Sequence, residues 1–80
     1  MTATAYILIS VSVGKARQIY QKMQQIPGVQ HVDAISGPYD IIATVQAADF
    51  NAIGTLVLDK IQAIEGVVDT ITCNVIHFEI

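Results

Sequence analysis

The sequence predicts an α+β domain with the element order β-α-β-β-α-β. Three observations carry this. Apolar residues alternate over Ala5–Val11 and Ile41–Val45, the period of a strand. Two stretches, one from Ala16 to Ile26 and one from Phe50 to Ile64, repeat their apolar residues at helical spacing. The third is an internal repeat: Lys22-Met-Gln-Gln-Ile-Pro-Gly-Val29 resembles Lys60-Ile-Gln-Ala-Ile-Glu-Gly-Val67, with Lys, Gln, Ile, Gly and Val recurring at an offset of 38 residues. In each copy a helix ends at Gly and a strand begins at Val, so the chain reads as two β-α-β units.

The elements follow in order. In the first strand Ala5, Ile7, Ile9 and Val11 form an apolar set, while Tyr6, Leu8, Ser10 and Ser12 are mixed. Gly14 opens a helix whose stripe is Ala16, Ile19, Tyr20, Met23 and Ile26, and Pro27-Gly28 stops it. The second strand runs from Val29 to Ser36. The turn Ser36-Gly-Pro-Tyr-Asp40 then reverses the chain, because Pro presets φ and Gly tolerates conformations closed to other residues. The third strand sets Ile41, Ala43 and Val45 against Ile42, Thr44 and Gln46. Asp49 is a good N-cap for the second helix, with Phe50, Ile53, Val57, Ile61 and Ile64 as its inner stripe. Gly54 in mid-helix costs about 1 kcal/mol against Ala, which points to a close approach of a neighbouring element there. Gly66 ends the helix. The last strand runs from Val67 to about Ile80, with Ile71, Cys73 and Val75 on one side and Thr70, Thr72, Asn74 and Ile76 on the other.

This order is that of a ferredoxin-like sandwich, a single domain over residues 1–80. Right-handed crossovers place both helices on one face of an antiparallel four-stranded sheet. The apolar parity set, Cys73 included, is expected under the helices. The other face then carries Tyr6, Leu8, Ser10, Ile42, Thr44, Thr70, Thr72, Asn74 and Ile76. It is too apolar for water and too polar for an ordinary core. A second subunit packing sheet against sheet, as in a dimeric α+β barrel, resolves that conflict.

Composition narrows the function. The chain is 52% hydrophobic and 14% charged, an apolar excess that suggests surface covered by a partner. Its net charge is −3 with four basic residues, Lys15, Arg17, Lys22 and Lys60. Nucleic-acid binding relies on clustered cations, so direct DNA or RNA binding is not expected, nor is docking to an acidic membrane. One cysteine rules out an internal disulfide, and neither a signal peptide nor a bilayer-spanning run is legible; the expected location is the cytoplasm.

No catalytic group and no cofactor is expected. His31, His77 and Cys73 do not have the spacing of a metal cluster. No nucleophile can be placed beside a base. Asp40 is different: a carboxylate at a turn, beside Tyr39, directly before an apolar strand. Its carboxylate either stiffens the turn by accepting backbone N–H groups or, with turn amides around Gly37, recognises a small zwitterion. Thr70 and Thr72 are either ordinary β-favouring residues or hydroxyl donors to a ligand.

The whole chain resembles the effector domain of the Lrp/AsnC family of feast/famine regulators, the RAM domain. The resemblance is carried by Ile26-Pro-Gly-Val29, by Ser36-Gly-Pro-Tyr-Asp-Ile41, and by Ile64-Glu-Gly-Val67 followed by Thr70-Ile-Thr72. It implies that Gly37, Tyr39 and Asp40 lie on the family's ligand loop and Thr70 and Thr72 on its last-strand positions. It also implies a sheet-to-sheet dimer, a ring of dimers, and an amino acid bound between dimers. Family regulators carry an N-terminal helix-turn-helix domain, whereas here the first strand starts within a few residues of Met1, so the chain resembles the stand-alone form. Two alternatives stand beside the amino-acid-binding module: an assembly module that joins full-length Lrp/AsnC-type regulators, and a small dimeric α+β-barrel enzyme.

Overall fold

The computed structural model describes residues 2–78. Strand β1 (Ala3–Val11) leads into helix α1 (Ala16–Met23), then β2 (Val29–Ala34) and β3 (Ile41–Ala47). Helix α2 (Phe50–Leu56) continues through a π-helical turn over Val57–Ile61, and β4 (Val67–Asn74) closes the fold. The sheet has the order β2-β3-β1-β4 with every neighbouring pair antiparallel, as the ferredoxin-like reading requires.

The core forms where the apolar parity of β1 and β3 meets the two helical stripes. Ala5, Ile7 and Ile9 of β1 and Ile41, Ala43 and Val45 of β3 are buried against Ile19, Met23, Ile53, Val57 and Ile61. Asp49 caps α2 as expected, its Oδ1 accepting from Ala52 N at 2.8 Å. Three expectations fail. Phe50 opens the helix at its outer rim and remains 49% exposed. A Cβ added at Gly54 would meet nothing, so no neighbour approaches there. The second and last strands stop at Ala34 and Asn74, short of Ser36 and Ile80; residues 79 and 80 lie outside the described residues.

The fourth correction concerns the faces of β4. Tyr6 stands opposite Cys73, Ile7 opposite Thr72, Leu8 opposite Ile71 and Ile9 opposite Thr70. Opposed residues share a face, so Thr70, Thr72 and Asn74 lie on the helix side, and Ile71 and Cys73 lie on the open side. Cys73 is exposed, not a core residue. The cause is a bulge. Val11 pairs with Val67 but Ser10 pairs with Asp69, which leaves Val68 as an extra residue. One inserted residue reverses the alternation that follows it. Val67 therefore packs against the core while Ile71 and Cys73 point away. The helices lie chiefly over β2, β3 and β1, so the helix-side positions of β4 extend past their cover. The open face carries Tyr6, Leu8, Ile42, Thr44, Ile71 and Cys73, with His31 and Asp33 of β2 opposite Thr44 and Ile42.

Candidate functional site

Asp40 is fixed by what β1 lacks. The β1–β3 ladder ends at Ile9 opposite Ile41, leaving the Val11 N–H without a partner on that side. The Asp40 carboxylate supplies one, its Oδ2 accepting from Val11 N at 2.8 Å. The Asp40 N–H donates to Ile9 O at 3.0 Å, and its carbonyl accepts from Ile35 N at 2.9 Å. Three bonds thus lock this residue to β1 and to the end of β2. The stiffening role foreseen for Asp40 has a specific geometry: it ties the hairpin to the last residue of the central strand. Oδ1 takes part in no hydrogen bond among the described residues, so one oxygen remains for a further donor. Tyr39 is half-buried beside Asp40, and Gly37 is exposed at the tip.

Thr70 and Thr72 stand on β4, on the other side of β1. Thr70 is opposite Ile9 and half-buried, and Thr72 is opposite Ile7 and exposed. Gln62, the first residue after the π-helical turn, donates its Nε2 to Thr70 Oγ1 at 2.8 Å. The backbone N–H of Thr70 donates to Asp69 Oδ1 at 3.0 Å. Sequence reasoning missed Gln62. The available signal was its place in the internal repeat, as the counterpart of Gln24.

Asp40 and Thr70 therefore share one end of the sheet, at the C-terminal end of β1. β1 lies between them, so their strands are two spacings, about 10 Å, apart. Within one chain the five foreseen ligand residues form two groups: Gly37, Tyr39 and Asp40 on the hairpin, and Thr70 and Thr72 on β4.

Clefts also lie elsewhere among the described residues. One of about 700 Å³ occupies the opposite end of the sheet, between Thr4, Phe50, Asn74, Ile76 and His77. One of about 300 Å³ lies between α1 and β2, beside Tyr20, Gln24, His31 and Asp33. Neither includes any of the five foreseen residues. The larger cleft is mostly apolar, and its rim residue Asp49 already caps α2. His77 and His31 border these clefts but are exposed, and both clefts are open to solvent at the margins of the sheet. His31 Nε2 lies 3.0 Å from Asp33 Oδ2 at the surface. Among the described residues no three His, Cys, Asp or Glu side chains come together as a metal site, and no helix is long and apolar enough to cross a membrane.

The model of the Lrp/AsnC ligand binding domain family matches residues 4–78. An HTH-type transcriptional regulator of Pyrococcus abyssi is 36% identical over 72 residues, covering 86% of this chain and 48% of that protein. The chain thus spans about half the length of the curated relatives it matches. The crystal structure of a Thermus thermophilus protein superposes with a TM-score of 0.90 at 27% identity, covering 96% of each chain. A Neisseria meningitidis transcriptional regulator, solved as a complex with L-Met, superposes with a TM-score of 0.84 at 26% identity, covering 94% of this chain and 50% of that one. Fold, hairpin and match together establish that this chain belongs to the Lrp/AsnC ligand-binding-domain family.

Proposed function

We infer that the chain is an effector-binding and oligomerisation module that takes an amino acid at a cleft between subunits. The observation that carries this is the split site. An amino acid holds its ammonium and carboxylate on one carbon, so it cannot reach both the Asp40 and the Thr70 groups across about 10 Å of one sheet. A second copy that brings its own hairpin or β4 alongside closes that gap. Asp40 supplies its free Oδ1 to the ammonium group, turn amides near Gly37 and Tyr39 hold the ligand backbone, and Thr70 and Thr72 add hydroxyls. The L-Met complex of the Neisseria relative supports an amino acid as the ligand class.

The open sheet face supports the first assembly step. Tyr6 and Ile71 are 45% and 40% exposed at its centre. A stable interface removes roughly 800 Å² per partner, which this face can supply in a sheet-to-sheet dimer. Dimers then join as a ring at the split sites. The expected location is the cytoplasm, and the net charge of −3 argues against direct contact with DNA.

Isothermal titration with the twenty standard amino acids tests the reading. At least one should bind, and Asp40→Asn should weaken it about tenfold or more, the loss of a charge-assisted hydrogen bond. Light scattering should give a mass well above 8.6 kDa. Heat from none of the twenty, on folded and oligomeric protein, would favour the module that only joins full-length Lrp/AsnC-type regulators. The small dimeric α+β-barrel enzyme gains no support from the exposed positions of His31 and His77.

A further inference from the structure

The internal repeat shows that Thr70 is out of place as a structural residue. Its counterpart in the first half, 38 residues earlier, is Val32. Both follow a one-residue bulge, and both fall on the helix side of an outer strand. Val32 is 6% exposed and part of the core. At the matching position the second half carries a hydroxyl, held from the helix side by an amide. The glutamines differ in the same way. Gln24 turns back along its own helix and donates to Tyr20 Oη at 3.1 Å. Gln62 crosses to the strand and donates to Thr70 Oγ1 at 2.8 Å. Gln62 is delivered there by the π-helical turn, which closes with Gln62 N donating to Val57 O at 2.8 Å.

The direction of this bond decides what the hydroxyl can do. A hydroxyl has one proton and two lone pairs. When Gln62 donates to Oγ1, one lone pair is used and the proton is left free. Among the described residues the Thr70 hydroxyl has no acceptor of its own. A hydroxyl that already accepts a bond is polarised into a better donor. The second N–H of the Gln62 amide adds another donor on the same side. The nearby Asp69 carboxylate is turned onto the Thr70 backbone N–H and, by strand alternation, belongs to the opposite face. The helix side of β4 at Thr70 is therefore a donor site.

We propose that Gln62 is a positioning residue of the ligand site: by donating to Thr70 Oγ1 it aims the hydroxyl proton outward, so the end of the ligand that meets β4 is the carboxylate and the end that meets Asp40 is the ammonium. This rests on the amino-acid-binding reading above. It adds a residue to the site and fixes which end of the ligand each half of the site holds.

The test compares the tightest-binding of the twenty standard amino acids with its C-terminal amide, by isothermal titration on the oligomer. Wild-type protein should prefer the acid. Gln62→Leu should cut that preference about three- to tenfold, the difference between a charge-assisted and a neutral hydrogen bond, and weaken the amide less than the acid, because the amide carbonyl accepts the Thr70 proton without charge assistance. Gln62→Glu should cut it further, because the introduced carboxylate accepts the Thr70 proton and reverses the bond. Adding Gln62→Leu to Thr70→Val should cost nothing more, since one residue acts through the other. Gln62 is exposed, so these variants should fold like wild type, and circular dichroism checks this. Equal affinity of wild type for acid and amide would overturn the ligand orientation. Full additivity with Thr70→Val, or equal losses for acid and amide, would overturn the role of Gln62 while leaving an amino-acid site intact. Binding of none of the twenty would remove the amino-acid reading and this inference with it.

Discussion

Gly28 and Gly66 make the same corner twice. Each ends a helical segment with φ near +100°, at 97° and 100° respectively. The Gly28 carbonyl accepts from Gln46 N, and the Gly66 carbonyl accepts from Ser12 N, both at 2.8 Å. Each corner is followed by a bulge at the next residue but one, Gln30 in β2 and Val68 in β4. Beyond the bulges the halves part. Val32 enters the core where Thr70 meets Gln62, and α1 stays regular where α2 relaxes into a π-helical turn. The backbone frame is held in common, and polar chemistry has been placed on one copy of it. That asymmetry marks which residues the shared frame requires and which it does not.

The largest effect should come from breaking the shared corner. A Cβ at Gly28 would lie 2.8 Å from Leu56 Cδ1 and 3.1 Å from Gln46 O. At Gly66 it would lie 3.0 Å from Ile19 Cδ1 and from the Lys15 stem. A left-handed residue with a Cβ costs about 1–2 kcal/mol, and crowding of this kind adds about 1–3 kcal/mol. Urea unfolding should show both Gly28→Ala and Gly66→Ala destabilised by about 2–5 kcal/mol, Gly28→Ala the more, because part of its clash is with backbone. A Gly66→Ala protein of wild-type stability would break the equivalence of the corners.

Exchanging the residues that differ should sharpen it. Val32→Thr buries a hydroxyl without a partner and should cost about 1–3 kcal/mol. Thr70→Val gives up one partly exposed hydrogen bond and should stay within about 1 kcal/mol of wild type. Equal penalties in the two directions would mean that Thr70 is structural after all. The smallest effect concerns Gly54, whose counterpart is Ala16. With no atom near its would-be Cβ, Gly54→Ala should stabilise the protein by about 0.5–1 kcal/mol, read as a small rise in the urea midpoint.

Much of the frame could be read from the chain. The parity of β1 and β3, the stripes through Ile19 and Met23 and through Ile53, Val57 and Ile61, and the Asp49 cap depend on local periods. The structure keeps all of them. The faces of β4 could not be read this way. Parity carries across a strand only if no residue is inserted, and nothing in Val67-Val-Asp-Thr70 marks Val68 as the extra one. The repeat held the clue, because Val29 and Val32 of β2 both pack inward across the same insertion. The Asp40 tie to Val11 was foreseen in kind but not in partner, since a bond across 29 residues leaves no local trace. Gln62 was hidden for a related reason: its partner lies across the Gly66 corner, and the helix departs from its regular period just before it.

The misplaced cysteine gives the molecule a use in the laboratory. Cys73 is the chain's single thiol, and it stands on the open face opposite Tyr6. Alkylation by iodoacetamide is therefore a one-site footprint of that face. The folded chain should react freely when dilute and become progressively protected as concentration rises, and the midpoint of the fall in alkylation rate would read the self-association constant.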